Sequence, residues 1–253
     1  MAKLDTIVKD LQKRLRVDDV PDYGGAVNGL QLRSAQGKVT RVGAAVDASL
    51  PVVEKAVSEG VDLLVVHHGM FWQGAQKIDG AVFTKLKLAM DAGLAIYSCH
   101  LPLDIHEELG NNILLARACG IKGKSADFLP WKGIAVGRKF THAATLKSLV
   151  KRVEKAVGGA VHVCAAGPAK TKVIGVATGG AGSEIYAAAE AGIDTFITGE
   201  GPHHSYTSAE ELGMNVIYAG HYATETFGVR AVADYVAKKY RVEKTFIDHP
   251  TGL

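Results

Sequence analysis

Cysteine is scarce in this 253-residue chain: Cys99, Cys119 and Cys164 are the only three, an odd number, far apart and outside any CxxC spacing. That argues against a disulfide framework and against a thiolate zinc site, and a reducing, cytoplasmic setting is the expectation. No apolar run approaches the roughly 20 residues of a membrane-spanning helix, so no membrane partner is expected. Excess charge is missing too. Lys and Arg number 29 against 26 Asp and Glu, for a formal net charge of +3, and no dense basic block stands out. The electrostatic footprint of a nucleic-acid-binding protein is therefore lacking. So is a P-loop: the glycine-bearing stretches GAVNGL and TGGAGS do not follow GxxxxGK[ST]. With 47% hydrophobic and 22% charged residues, what remains is an ordinary globular composition with apolar content for a large core or two smaller ones.

The N-terminal stretch MAKLDTIVKDLQKRLRV spaces Leu4, Ile7, Val8, Leu11 and Leu15 among charges. It reads as an amphipathic helix rather than a signal peptide. After the break PDYGG at 21–25, apolar runs alternate with helical patterns. VTRVGAAVD (39–47) predicts a strand, Ser49 and Pro51 start a helix that Gly60 closes, and the β-branched run VDLLVV predicts a strand covered on both faces. FTKLKLAMDAG and LAIYS add a helix and a strand. This βαβαβ order implies an α/β fold with a largely parallel sheet.

The same grammar recurs. Laying Gly60-Val61-Asp62 over Gly192-Ile193-Asp194 aligns Gly43 with Gly175, Ala45 with Ala177, Ala56 with Ala188 and Gly69 with Gly201. A shorter offset then matches Ile96-Tyr97 to Ile217-Tyr218, His100 to His221 and Asp104 to Glu225. An internal duplication predicts two similar α/β lobes. The strand–helix–strand pattern of 133–168 opens the second, and the turn at 120–130 is the best boundary. The expected lobes are 1–122 and 123–253, with the C-terminal part packing back on the first.

Seven of the ten histidines fall in four short places: His67-His68, His100 with His106, His203-His204, and His221. All follow predicted strands, on the loops where α/β sheets bind ligands. For His106, His142, His162 and His249 a bland reading, surface or satisfied side chains, is kept. Imidazole and carboxylate are ligands of divalent zinc, manganese and iron. Adjacent side chains in extended backbone point to opposite faces, so His67 and His68 are expected to serve two neighbouring ions rather than chelate one. The arms H-L-P-L-D (His100 to Asp104) and H-Y-A-T-E (His221 to Glu225) could complete such a site. Pro102 argues against a helix interior in the first arm, and Glu225 is expected in a helical first turn, where it could bridge two cations. The rival reading is a set of hydrogen-bonded loop histidines without metal.

The segments VDLLVVHHGMFW, YSCHLPLDIHEELGNN, TGEGPHHSY and GHYATETFGV, with NGLQ at 28–31 and AAVDAS at 44–49, resemble the Nif-three-like dinuclear metal-centre proteins. Members are also called GTP cyclohydrolase I type 2 homologues, and the resemblance spans almost the whole chain. It implies two interlinked α/β lobes with a pair of metal ions between them, and a homohexameric ring built as a trimer of dimers. It implies His67, His68, Asp104, His221 and Glu225 as ligands, with Glu225 the bridge. His100 is not carried over as a ligand and is placed as an outer or proton-transfer group. Glu200, His203 and His204 are further polar candidates in a GEGPHH loop that departs from the family's usual residues. The implied activity is metal-dependent hydrolysis of a nucleotide-like or cyclic-amide small molecule. The competing function is non-catalytic metal handling or scaffolding. Transcription-linked partner binding rests on the family's eukaryotic name alone.

Overall fold

The N-terminal helix runs over Leu4–Leu15, and Leu4, Ile7, Val8, Leu11 and Leu15 are all buried, as their spacing requires. In the computed structural model, which describes residues 1–253, the chain divides into two units. Met1–Leu103 with Gly228–His249 form one, and Asp104–Phe227 with Pro250–Leu253 the other. No helix is long and apolar enough to cross a membrane.

The first unit is built on a five-stranded sheet in the order Glu243–Phe246, Arg41–Asp47, Leu63–His68, Ala95–Ser98, Gly29–Leu32. The first four strands run parallel and the last antiparallel. Helices Leu50–Ser58 and Gly80–Asp91 make the crossovers. Val52, Val53 and Ala56 of the former pack with Ala45, Leu64, Val66 and Ile96 of the sheet. A strand whose side chains are buried on both faces needs no polar alternation, which is why LLVV reads as one apolar run.

The second unit holds a six-stranded sheet in the order Ser125–Trp131, Ile134–Thr145, Lys170–Val176, Thr195–Thr198, Asn215–Tyr218, His162–Ala165. Its central three strands are parallel and its outer pairings antiparallel. The division differs from the expected 122/123 border. Leu115, Ala116 and Cys119, from and just after helix Asn111–Ala118, are buried with Phe140, Leu149, Ile174 and Ile197 of the second unit. The segment 104–122 thus folds with the second unit, and Asp104 with it. The helix His221–Tyr240 is divided at Phe227/Gly228. Beyond it, Glu243–Phe246 pairs with Arg41–Asp47.

The duplication is visible in hydrogen bonds. Val42 pairs with Leu63 and Gly43 with Leu64, while Ile174 pairs with Thr195 and Gly175 with Phe196. Asp62 Oδ2 accepts from the Thr40 and Arg41 amides, and Asp194 Oδ2 from the Lys172 and Val173 amides. Gly43 and Gly175 are glycine for one reason: an added Cβ would lie 2.9 Å from Val61 Cγ1 in the first case and 2.6 Å from Ile193 Cδ1 in the second. The third strands correct the alignment. Leu63 pairs with Ala95 and Thr195 with Asn215, so Ile96 corresponds to Val216, not Ile217. The second repeat carries one extra residue between this strand and the following helix. A one-residue slip inside a strand would turn every side chain to the other face, so the difference is absorbed in the loop.

Asp62 also accepts from Thr40 Oγ1 at 2.7 Å. Asp62→Ala strips three donors of their acceptor and is expected to destabilise the protein by about 2 kcal/mol. Urea denaturation checks this, and a loss no larger than that of an exposed Asp5→Ala would contradict it.

Candidate metal centre

In the first unit three imidazoles converge. Ring centroids are 4.8 Å apart for His67–His68, 4.9 Å for His67–His100 and 5.7 Å for His68–His100. One ligand atom from each lies within 4.8 Å of the others. The expectation that His67 and His68 face opposite ways is therefore corrected. They end the strand Leu63–His68, and side chains at a strand end can lean along the strand direction past the sheet.

Each ring is fixed through Nδ1. His67 Nδ1 is 3.0 Å from the Cys99 carbonyl, His68 Nδ1 is 2.8 Å from Asp47 Oδ1, and His100 Nδ1 is 2.8 Å from Asp22 Oδ1. A carbonyl or carboxylate only accepts, so Nδ1 carries a proton in all three, and whenever the ring is neutral the lone pair is on Nε2. This is the outer arrangement that metal-binding histidines use. Burial pushes the Asp22 carboxyl up, but the His100 hydrogen bond and charge, with Asn28 and the Tyr23 amide, bring it below its ordinary value.

The NGLQ segment holds this loop cluster. Asn28 Oδ1 accepts from the His100 amide at 2.8 Å, and its Nδ2 donates to Asp22 Oδ2 at 2.7 Å. Gln31 Oε1 accepts from the Met70 amide at 2.7 Å, and its Nε2 donates to the Ala26 and Val27 carbonyls. The glycine of His67-His68-Gly69 is explained by that carboxamide, which a Cβ on Gly69 would overlap.

In the second unit His221 and Glu225 lie on one helix face. The helix begins at His221, so Glu225 is in its second turn, not its first, and the two residues have the i,i+4 relation of facing neighbours. His221 Nε2 is 3.2 Å from Glu225 Oε1, and Nδ1 is 2.7 Å from Glu200 Oε1. Glu225 is only 3% exposed. Burial by itself favours a neutral imidazole, but the hydrogen bonds and charges of Glu225 and Glu200 outweigh it and hold His221 up at about 9. Asp104 Oδ1 accepts from Asn111 Nδ2 at 2.8 Å and Thr178 Oγ1 at 3.2 Å. The next residue, Gly179, has φ +67°, and a Cβ there would overlap Glu225 Oε1. Asp104 and Glu225 thus meet the chain at adjacent residues. The glycine loop 179–183 serves packing: the Gly182 amide donates to the Glu200 carbonyl at 3.0 Å.

His203 and His204 are exposed in the first turn of helix His203–Leu212. His106 Nδ1 accepts from the Glu108 and Leu109 amides, which fits its bland reading. Asp22 and Thr178 escaped sequence reasoning, and Asn28 and Asp47, which lie in the NGLQ and AAVDAS segments, were assigned no role there.

Comparison with known proteins decides the kinship. The model of the DUF34/NIF3 family (NGG1p interacting factor 3) matches residues 2–251. The chain belongs to the DUF34/NIF3 family. Among DUF34/NIF3 relatives, a "GTP cyclohydrolase 1 type 2 homolog" of Deinococcus radiodurans is 37% identical over 98% of this chain and 94% of its own. One of Pyrococcus horikoshii is 38% identical over 98% and 99%. The crystal structure of TTHA1606 from Thermus thermophilus matches with TM-score 0.88 at 37% identity, covering 100% of both chains. Reduced HcgD from Methanocaldococcus jannaschii matches with TM-score 0.86 at 27% identity, covering 98% of each.

For this DUF34/NIF3 chain the His221 environment sets a pH dependence. Its folded pKa stands above the ordinary 6.5, so in metal-free protein its stabilising contribution is complete below about 6.5 and is lost as pH rises through about 9. Imidazole NMR of chelator-treated protein should show one ring titrating near 9. His221 titrating near 6.5 would contradict the coupling to Glu225 and Glu200.

Proposed function

We propose that His67, His68, Asp104, His221 and Glu225 together hold two divalent ions, zinc, manganese or iron, and that the protein hydrolyses a small nucleotide-like or cyclic-amide substrate. The observation that supports this best is the trio of imidazoles fixed at Nδ1 in the tautomer that places the lone pair on Nε2. The donor chemistry fits such ions: imidazole nitrogens in one unit, and carboxylates with a further imidazole in the other. The relatives' name, GTP cyclohydrolase 1 type 2 homolog, supports hydrolytic ring opening as the reaction class.

When bound, the ions would supply Lewis acidity and a water acidic enough to attack near neutral pH. The chain's own residues do the rest. Asp47 and the Cys99 carbonyl orient His68 and His67, and Asp22 holds His100 so that its Nε2 can take up or release a proton during turnover. Glu200 fixes His221, and Glu225 with Asp104 would hold the ions from the second unit. The assembly proposed is a homohexamer, for which native mass spectrometry should find six chains; a monomer would contradict it.

A second reading, metal binding without turnover, is favoured by the exposure of His203 and His204, which leaves fewer titratable groups gathered than the sequence suggested. Protein loaded with manganese, iron or zinc is expected to hydrolyse at least one member of a panel of nucleotides, phosphoesters and cyclic amides, in a chelator-sensitive way. No turnover with any metal sinks the enzyme reading and leaves the second.

A further inference from the structure

The helix Gly80–Asp91 buries one residue, Ala89, against its own unit, whereas the other crossover helix, Leu50–Ser58, buries Val52, Val53 and Ala56. The rest of its apolar content stays outside. Of the nine large hydrophobic side chains exposed in the whole chain, four fall in the stretch 71–90: Phe71, Ile78, Phe83 and Met90, at 37%, 66%, 51% and 59%. Single exposed hydrophobics are ordinary, but a gathered patch marks an interaction surface.

Ile78, Val82, Leu86 and Met90 recur every four residues, a stripe along one side of the helix and its lead-in. Beside the stripe lies a groove of about 470 Å³, walled on the helix side by Val82, Lys85 and Leu86 and elsewhere by Met70 and Phe71, with Asp47 and His68 also lining it. Cavities of this size take whole small molecules, so one aromatic side chain enters easily. Phe83, exposed and next in the chain to Val82, is such a side chain. A surface that carries a knob and a hole together is self-complementary: a two-fold axis puts each knob in the other copy's hole. Charge selects the register. With two copies of the helix antiparallel, setting Val82 against the partner's Leu86 sets Ile78 against the partner's Met90, Phe83 against the partner's Lys85 on the groove wall, and Lys77 against the partner's Asp91. Sliding by one turn, so that Leu86 meets the partner's Leu86, sets Lys87 against the partner's Lys85 instead. The first register pairs opposite charges and the second opposes like ones.

We propose that this face is a two-fold contact between copies of this chain, in the first of these registers, and that the partner's Phe83 fills the groove beside His68. A second copy then walls the histidine cluster on one side and keeps water from it. The inference rests on the reading that the chain self-associates, and supplies the dimer step of the hexamer proposed above. It needs neither bound metal nor turnover.

Native mass spectrometry and sedimentation of the full chain over a range of concentrations test it. Wild type is expected as six chains and Phe83→Glu as three or fewer, with the dimer dissociation constant raised at least about 100-fold. A carboxylate in the first turn of a helix is favoured by its dipole, so the fold should hold, and a thermal melt checks that. Thr84→Glu, on the same turn but off the stripe, should leave the assembly intact. The register is read by charge exchange. Lys77→Glu should weaken the dimer about fivefold and Asp91→Lys likewise, with the two together restoring it. Lys77 and Asp91 lie at opposite ends of a 12-residue helix, about 18 Å long, so restoration can act only between chains. A wild-type dimer that is lost in Phe83→Glu supports the contact and removes the hexamer. An assembly unchanged in Phe83→Glu, an equal loss in Thr84→Glu, or charge changes that never compensate overturns the contact and leaves the hexamer standing. A monomeric wild type overturns both.

Discussion

His67→Ala is expected to reduce bound metal from two ions per chain to at most one, with the fold retained. His67 is fully buried, and its ring is held by the Cys99 carbonyl. Losing even an outer partner of a metal ligand costs about 10–100-fold in affinity, so losing a ligand costs at least that. The structural cost is smaller. His67 lies near the end of its strand, beyond Leu63–Val66 that pack the core, and truncation there should cost about 2 kcal/mol. Elemental analysis of dialysed protein reads the metal, and a thermal melt reads the fold. His106→Ala, which removes a ring that accepts from local backbone amides, should leave the metal unchanged. A His67→Ala protein that still carries two ions would remove His67 from the ligand set.

Gly179→Ala should be more damaging than its size suggests. The residue has φ +67°, which costs a non-glycine residue about 1 kcal/mol. The added Cβ would overlap Glu225 Oε1 and approach His221 Nε2 to 3.3 Å. The loop has little room to yield, because the Gly179 carbonyl accepts from the Gly199 amide at 2.9 Å, the Glu200 amide at 3.0 Å and Thr198 Oγ1 at 3.2 Å. A loss of about 3 kcal/mol is expected, together with weakened metal uptake through the displaced Glu225. Adding Glu225→Ala should restore the part due to overlap and leave the backbone strain, for a coupling of about 1–2 kcal/mol in the double-mutant cycle. Strict additivity would show that the contact with Glu225 is not why this position is glycine.

The duplicated βαβ units could be read from the chain because their constraints are local and hard. Gly43 and Gly175 admit no Cβ, and Asp62 and Asp194 each bind the start of the preceding strand. The histidine clusters could be read as well, since strand ends in α/β sheets are where ligands bind. Other features depended on information that the sequence does not carry locally. The division after Leu103 rather than at 122/123 follows from helix Asn111–Ala118, whose Leu115 and Ala116 are buried with a sheet whose strands come later in the chain. Glu225 lies in the second helical turn rather than the expected first, because nothing in HYATE marks His221 as a helix start. The opposite-face rule for His67 and His68 holds inside a strand and lapses at its end. Asp22 and Asp47 look like solvated acids in sequence, and only the fold puts them on imidazole nitrogens.

Metal occupancy decides the assignment of the centre. Anomalous scattering from crystals of the purified protein, with elemental analysis of the same sample, should show two ions per chain, ligated by His67, His68, Asp104, His221 and Glu225. Full occupancy retained in Glu225→Ala, or ions located only at His203 and His204, would contradict it.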